Sequence, residues 1–243
     1  MKRNCSPLIL ATALLLLPLE CLLAQASEVR DLRNFESVLI HPGFDVVLVH
    51  GSEPSIEIHP YDLDLAEIHT FVSFRQLEVY HHNFRPPWNN RVGGRWDARV
   101  RAKVIITYTY LESIDFRGDG YLVCHDELNA SEFRLRLYGN AEVNLPHMRT
   151  GLLRAALYGD IRLTVGGQAY EQLWRGYGDI KADAYDLRGE FADVRVYGGS
   201  ELLLDVRDHL ALTVFGDGVI RYKGSPSIQR RLVLGEASLY REH

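Results

Sequence analysis

A glycine recurs about every twenty residues through the second half of this chain, in a similar local context each time. The triplets read Arg117-Gly118-Asp119, Tyr138-Gly139-Asn140, Tyr158-Gly159-Asp160, Tyr177-Gly178-Asp179, Tyr197-Gly198-Gly199, Phe215-Gly216-Asp217 and Leu234-Gly235-Glu236. Their glycines are 21, 20, 19, 20, 18 and 19 residues apart. Units of this length are too short to be domains, so each must bury its apolar face against the next in a stack. They are also shorter than the roughly 30 residues of a strand-helix-strand crossover. The leucine and asparagine consensus of a leucine-rich horseshoe is absent.

Around each glycine, apolar and polar residues alternate with the period of a strand that has one buried face. Phe133, Leu135 and Leu137 precede one corner, and Ala141, Val143 and Leu145 follow it. Leu153, Ala155 and Leu157, then Ile161, Leu163 and Val165, repeat the pattern. A glycine at the corner suits a positive φ, which costs a residue bearing a Cβ about 1 to 2 kcal/mol. The acid or amide after it is expected to bond its own backbone in an Asx-type turn. The expected fold is therefore all-β: a single-stranded parallel β-helix of about seven rungs over residues 111–243.

Residues 27–110 lack the glycine ladder but keep strand patterns, as in Phe44-Val46-Leu48, Ile56-Ile58 and Val104 to Tyr110. They read as a β-rich part that covers one end of the stack, with a helical turn or two between Asp62 and His69. The charged tail Arg241-Glu242-His243 is the expected protection for the other end. An insertion over 81–99 has no periodicity and reads as a long loop. Its Phe84, Arg85, Trp88, Arg91, Arg95 and Trp96 have the composition of a binding hot spot. The same composition also suits a hairpin that arginine merely keeps soluble.

Residues 1–26 read as a secretory signal: Lys2 and Arg3, an apolar run from Leu8 to Leu17, then Ala24-Gln25-Ala26 as a cleavage site. The alternatives are an uncleaved anchor, for which the run falls short of the ~20 residues a span needs, and a lipid-modified Cys21, against which Glu20 argues. The product would be exported to the periplasm, the outer-membrane surface or the medium, with no transmembrane span left. The net charge of −5 becomes −6 without residues 1–26, since Lys2, Arg3 and Glu20 go with them. That balance gives nucleic acid no foothold. Cys124 is then the only cysteine, so no internal disulfide is possible, and its place on the buried alternation marks it as a small core residue.

The stretch Val29-Arg30-Asp31-Leu32-Arg33-Asn34-Phe35-Glu36-Ser37-Val38, followed by Gly43-Phe44-Asp45-Val46-Val47-Leu48 and His50-Gly51, resembles the opening of the family named "putative auto-transporter adhesin, head GIN domain". The later glycine-acid turns resemble that family's repeated serine-glycine-serine-glycine-aspartate segments. The similarity covers nearly all of residues 29–240. It implies an exported, Bacteroidetes-type protein with a β-helical body and no established enzymatic activity, and it supplies no site residue. This chain departs from the pattern by placing Tyr138, Tyr158, Tyr177, Tyr197 and Phe215 where small serines are usual.

With rungs ~4.8 Å apart those rings would stack as a ladder. Two roles are open to it: a structural shield at one corner, or a strip on which sugar rings or an envelope protein lie. Asp119, Asn140, Asp160, Asp179 and Asp217 would form an acidic column, read as turn-formers rather than as a calcium site because the spacing of calcium-binding β-rolls is missing. Glu142, Arg162, Lys181 and Glu201 alternate in sign, which suggests cross-rung ion pairs on a solvated face. No nucleophile elbow, zinc-binding helix or phosphate loop occurs, and no catalytic residue, metal or cofactor is expected. A binding protein is therefore the leading reading. A polysaccharide lyase or hydrolase on the same scaffold is the alternative, and it would require paired carboxylates in a groove.

Overall fold

The computed structural model describes residues 27–81 and 99–242. Buried and exposed side chains alternate almost without a break from Leu128 to Tyr197, and the backbone follows them as one strand of 70 residues. At about 3.3 Å per residue a straight strand of that length would reach roughly 230 Å. It is instead wound, and its successive turns lie on one another.

Fourteen strands make a single curled sheet. They are β1 (Glu28–Asp31), β2 (Ser37–Ile40), β3 (Phe44–His50), β4 (Ser55–Pro60), β5 (Ile68–Ser73), β6 (Gln76–His81) and β7 (Ala102–Tyr108). There follow β8 (Ser113–Arg117), β9 (Gly120–Cys124), β10 (Leu128–Tyr197), β11 (Ser200–Phe215), β12 (Gly218–Lys223), β13 (Ser227–Leu234) and β14 (Ser238–Arg241). β10 runs parallel to β8 and β9 at its start and to β11 at its end. Each pairing is offset by about one sequence repeat, as in Leu135 beside Ile114 and Ala182 beside Leu202.

The parallel stacking continues into the N-terminal part. β2 lies between β8 and β6, and β3 lies between β9 and β7. Antiparallel pairing appears only outside that stack, where β4 joins β7, β1 joins β4 and β5 folds back on β6. The helical turn expected after Asp62 is a single 3-10 turn, Leu65–Glu67, capped by the Asp64 carboxylate accepting the Ala66 N–H at 3.0 Å. No helix among the described residues is long and apolar enough to cross a membrane.

The core is the inward column predicted by the alternation, with Phe133, Leu135, Leu137, Ile161, Leu163, Val194 and Leu212 all buried. A few buried positions break the apolar rule, Thr150 and Ser200 among them, and the turn around Gln172 does so most fully. Gln172 and Trp174 face inward there, the indole N–H donating to Gln172 Oε1 at 3.1 Å and the Gln172 amide donating to the Leu187 carbonyl at 3.1 Å. Both polar groups are satisfied, so their burial is tolerated. Cys124 is buried beside the Tyr108 hydroxyl at 3.4 Å, and burial pushes its thiol up.

The corner glycines meet two constraints at once. Gly139, Gly159, Gly178, Gly198 and Gly216 have φ between 101° and 116°. A Cβ on Gly159 would also stand 2.2 Å from the carbonyl oxygen of Gly139 one turn below. Left-handed backbone and backbone-to-backbone stacking each exclude a side chain. The following acids act differently from expectation. Asp119 Oδ1 accepts the N–H of Asn140 and Asp217 Oδ1 that of Glu236, at 3.2 and 3.4 Å, so these carboxylates tie one turn to the next instead of closing a local Asx turn. A parallel stack brings the equivalent residue nearer to the carboxylate than its own chain neighbours.

Candidate ligand-binding strip

Each ladder tyrosine follows an inward residue directly, so the pleat turns it outward just before the corner. Because the corners are in register, the rings superpose. Tyr138, Tyr158, Tyr177, Tyr197 and Phe215 stack with centroids 4.8, 5.0, 4.8 and 4.8 Å apart and planes within 5° of parallel. That spacing is the distance between hydrogen-bonded strands. The ladder is half-exposed, and Tyr177 at its centre is 40% exposed.

The foot of the strip is held electrostatically. The Arg117 guanidinium lies 5.5 Å from the Tyr138 ring centroid, within range of a cation-π contact. The buried Asp115 carboxylate fixes it through two bonds, Nε at 2.7 Å and Nη2 at 3.1 Å. That fork raises Arg117 further above its usual range. Tyr138 is pushed up chiefly by burial, with the neighbouring Asp115 adding to it.

Sequence reasoning missed that the column continues below Arg117. His41 follows Ile40, the partner of both Phe116 and Val79, which places His41 between Arg117 and Tyr80. His41 and Tyr80 meet edge to face at 6.1 Å, and Tyr80 lies against His69 at 5.1 Å. Burial lowers the His41 imidazole, against the Glu78 carboxylate 2.6 Å away. No tyrosine-glycine-acid triplet marks these turns, and the one available signal was Gly43, whose φ of 105° matches the ladder glycines.

Phe84, Arg85, Trp88, Arg91, Arg95 and Trp96 lie outside the described residues. The strands flanking them, β6 and β7, are laid on β2 and β3. The expected ion pairing of the second outward column is corrected. Glu201 pairs with Arg221 at 3.9 Å, but Arg162 and Lys181 have no carboxylate at ion-pair distance among the described residues, although Lys181 stands opposite Glu201 in register. At these flat sites long side chains gain little from closing a pair in water.

Little at the strip is suited to proton transfer. Among the described residues, Asp45 is the carboxyl that burial raises, and its Oδ1 is already occupied by the Tyr121 N–H at 3.0 Å. No cluster of three or more His, Cys, Asp or Glu positioned to hold a metal occurs among the described residues.

Residues 34–226 match the family described as "Putative auto-transporter adhesin, head GIN domain". The chain belongs to this family. Solved structures similar to this head GIN domain protein include a "putative adhesin" from Bacteroides fragilis, with a TM-score of 0.71 and 16% identity, covering 89% of this chain and 96% of that one. A "putative lipid binding protein" from Parabacteroides distasonis gives 0.66 and 15% over 89% and 97%. A "putative adhesin" from Parabacteroides merdae gives 0.57 and 16% over 90% and 96%. At such identities the likeness establishes a shared fold. No curated protein matches the sequence.

Proposed function

We propose that this head GIN domain protein is an exported, non-enzymatic binding protein of the cell envelope, with residues 1–26 as its export signal and the aromatic strip as its ligand face. Its scaffold is a parallel β-helix of about seven rungs over 111–243, led by the β-rich part 27–110. The observation that carries the reading is the half-exposed stack from Tyr138 to Phe215. Aromatic side chains stacked face to face present their edges outward and, held rigid in a row, lose little side-chain entropy on binding, which is why such residues dominate binding surfaces. The ligand is a glycan or an envelope protein. Membership of an adhesin-named family, and two structural neighbours that are themselves named as adhesins, agree with this.

The test is a glycan array and an envelope pull-down with the purified protein, repeated with Tyr158→Ser/Tyr177→Ser. Removing both rings breaks three stacked contacts and is expected to cost about 2 kcal/mol of stability, and to abolish capture. Lower stability with unchanged capture would leave the ladder as a structural shield and overturn the proposal.

A further inference from the structure

In the stack from Tyr138 to Phe215 each inner ring covers the faces of its neighbours, and what stays open is the ring edge. In a tyrosine that edge carries the hydroxyl and the two carbons ortho to it, the atoms at which a phenol is oxidised and coupled. Three successive tyrosine pairs hold these atoms one strand spacing apart, with centroids at 4.8, 5.0 and 4.8 Å. Elsewhere among the described residues, the ring contacts of tyrosine are with histidine or phenylalanine.

The two ends of the stack are unsuited to oxidation. Phe215 closes the upper end with a ring that has no hydroxyl proton to lose, so a radical stops at Tyr197. At the foot, the Arg117 guanidinium 5.5 Å from the Tyr138 centroid opposes any positive charge that develops on that ring. Tyr138 also holds its proton more tightly than usual, through burial and the nearby Asp115. Oxidation is thereby confined to Tyr158, Tyr177 and Tyr197, of which Tyr177 is the most open to solvent.

We propose that the stack is a site of oxidative cross-linking, at which a peroxide-derived one-electron oxidant joins Tyr177 to Tyr158 or to Tyr197 as dityrosine. Each oxidising equivalent takes one electron from a phenol, whose hydroxyl proton passes to water. Two neighbouring phenoxyl radicals then pair their electrons in one bond between ortho carbons. Each of those carbons sheds its hydrogen as a proton to solvent while the oxygen of the same ring regains one, which restores two phenols. In sum, two tyrosines and one hydrogen peroxide give one dityrosine and two waters. Rings already at stacking distance need no diffusional encounter, so coupling within one molecule outruns coupling between molecules. The open edge leaves room for the tilt that brings two ortho carbons together.

Such a bond joins residues 19 or 20 positions apart, on successive turns. It constrains the unfolded chain as a disulfide of the same span does. Cysteine cannot supply this tie among the described residues, where Cys124 is free and buried.

Treating the purified protein at low concentration with a haem peroxidase and hydrogen peroxide, then digesting it with trypsin for mass spectrometry, tests the proposal. Tyr138, Tyr158, Tyr177 and Tyr197 fall on separate tryptic peptides, 137–149, 155–162, 176–181 and 196–207. The expected product is a monomer lighter by two hydrogens. In it, peptide 176–181 is joined to 155–162 or 196–207, in excess over 137–149 joined to 155–162, and the thermal midpoint is about 5 °C higher. Tyr177→Phe keeps the stack and removes the hydroxyl, so its midpoint before oxidation should be unchanged and its dityrosine fluorescence about tenfold lower. Absence of dityrosine from the monomer overturns the proposal, as do links formed only at tyrosines outside the stack. So does a yield that Tyr177→Phe leaves unchanged. A cross-linked monomer that melts no higher than the parent overturns the bond as a tie between turns.

Discussion

The two ends of the sheet are finished in opposite ways. At the N-terminal end, antiparallel strands fold over the stack, and arginine closes the outer edge of β5 and the 3-10 turn before it: Arg30 donates to the Ile68 and Leu65 carbonyls at 2.7 and 3.2 Å, and Arg33 to the Val72 carbonyl at 2.7 Å. At the C-terminal end, no strand among the described residues covers β13, and all of its residues are exposed. Ile228 and Val233 there still follow the core columns of Leu210 and Val214, but the position over Leu212 is Arg230, and the register slips at Arg231. Arg231 reaches back across two turns to Asp193 at 2.6 Å. An inward charge and a bulge are recognised ways of making an open edge unfit for pairing. The tail expected to do this is instead folded onto the last turn, with Glu242 bonded to the Tyr222 carbonyl and paired with Arg221. One end is satisfied by adding partners and the other by spoiling the template.

The largest expected effect compares the middle of the stack with its uncovered end. Gly159→Ala combines a left-handed φ with an overpacked backbone contact and should lower the unfolding free energy by about 3 kcal/mol. Gly235→Ala has the same kind of φ, but no further turn among the described residues lies beyond it to resist a shift, so it should cost about half as much. Equal losses in urea unfolding would show that the open end is as rigid as the interior.

At the closed end, Arg30→Ala strips two carbonyls of their donor and should cost about 2 kcal/mol in the same measurement. A neutral result would mean that water replaces the guanidinium, and that the edge needs no arginine.

Asp193 ties the open end to the body, and its contribution depends on pH. Burial alone would raise its carboxyl, but hydrogen bonds from Arg195 and Arg231 and the charge of Arg175 outweigh burial and hold it below the usual range. The folded state therefore binds this proton less readily than the unfolded chain does. The stabilisation is present above the unfolded value near 4, and it is lost as pH falls through the lower folded value. Asp193→Asn should cost about 1 kcal/mol at pH 7, screened because the cluster is partly solvated. At pH 3 the variant and the parent should differ less, and a difference that grew toward low pH would reverse the assignment.

The closed end also carries strain. Phe74 and Arg75 adopt φ of 48° and 61° in the turn between β5 and β6, and Phe74 is fully exposed. The Arg75 carbonyl accepts the Glu36 and Ser37 N–H groups at 2.8 and 3.2 Å, which holds the turn in place. Asparagine tolerates that backbone far better than phenylalanine, so Phe74→Asn should raise stability by about 1 kcal/mol. A fall in the thermal midpoint would mean that the ring packs on the turn in solution.

The smallest thermodynamic effect belongs to Arg230→Leu. Stability should change by less than about 0.5 kcal/mol, while light scattering should show association that grows with concentration. A variant that stays monomeric would show that the bulge alone blunts the edge.

Much of this was legible in the chain because the repeat is strict. The inward columns, the positive φ of the corner glycines and the superposed tyrosines all follow from a period-two strand folded at a fixed interval. Gln172 and Trp174 were not legible as core, since burial is made tolerable by their bond to each other and by that of Gln172 to the Leu187 carbonyl. His41 and Tyr80 escaped because their turns lack the triplet. The missing ion pairs at Arg162 and Lys181 escaped because alternating charges in sequence look like ion pairs until side-chain reach is known.

The sequence by itself determined that this protein is a stack of strands turning at glycine, with an aromatic residue outside each of several corners, because backbone sterics and burial act through near neighbours. Only the tertiary structure decided which carboxylate each arginine holds, which acids tie one turn to the next, and how each end is closed. Those contacts join residues about a repeat or more apart, and their energy depends on distances that no spacing along the chain encodes.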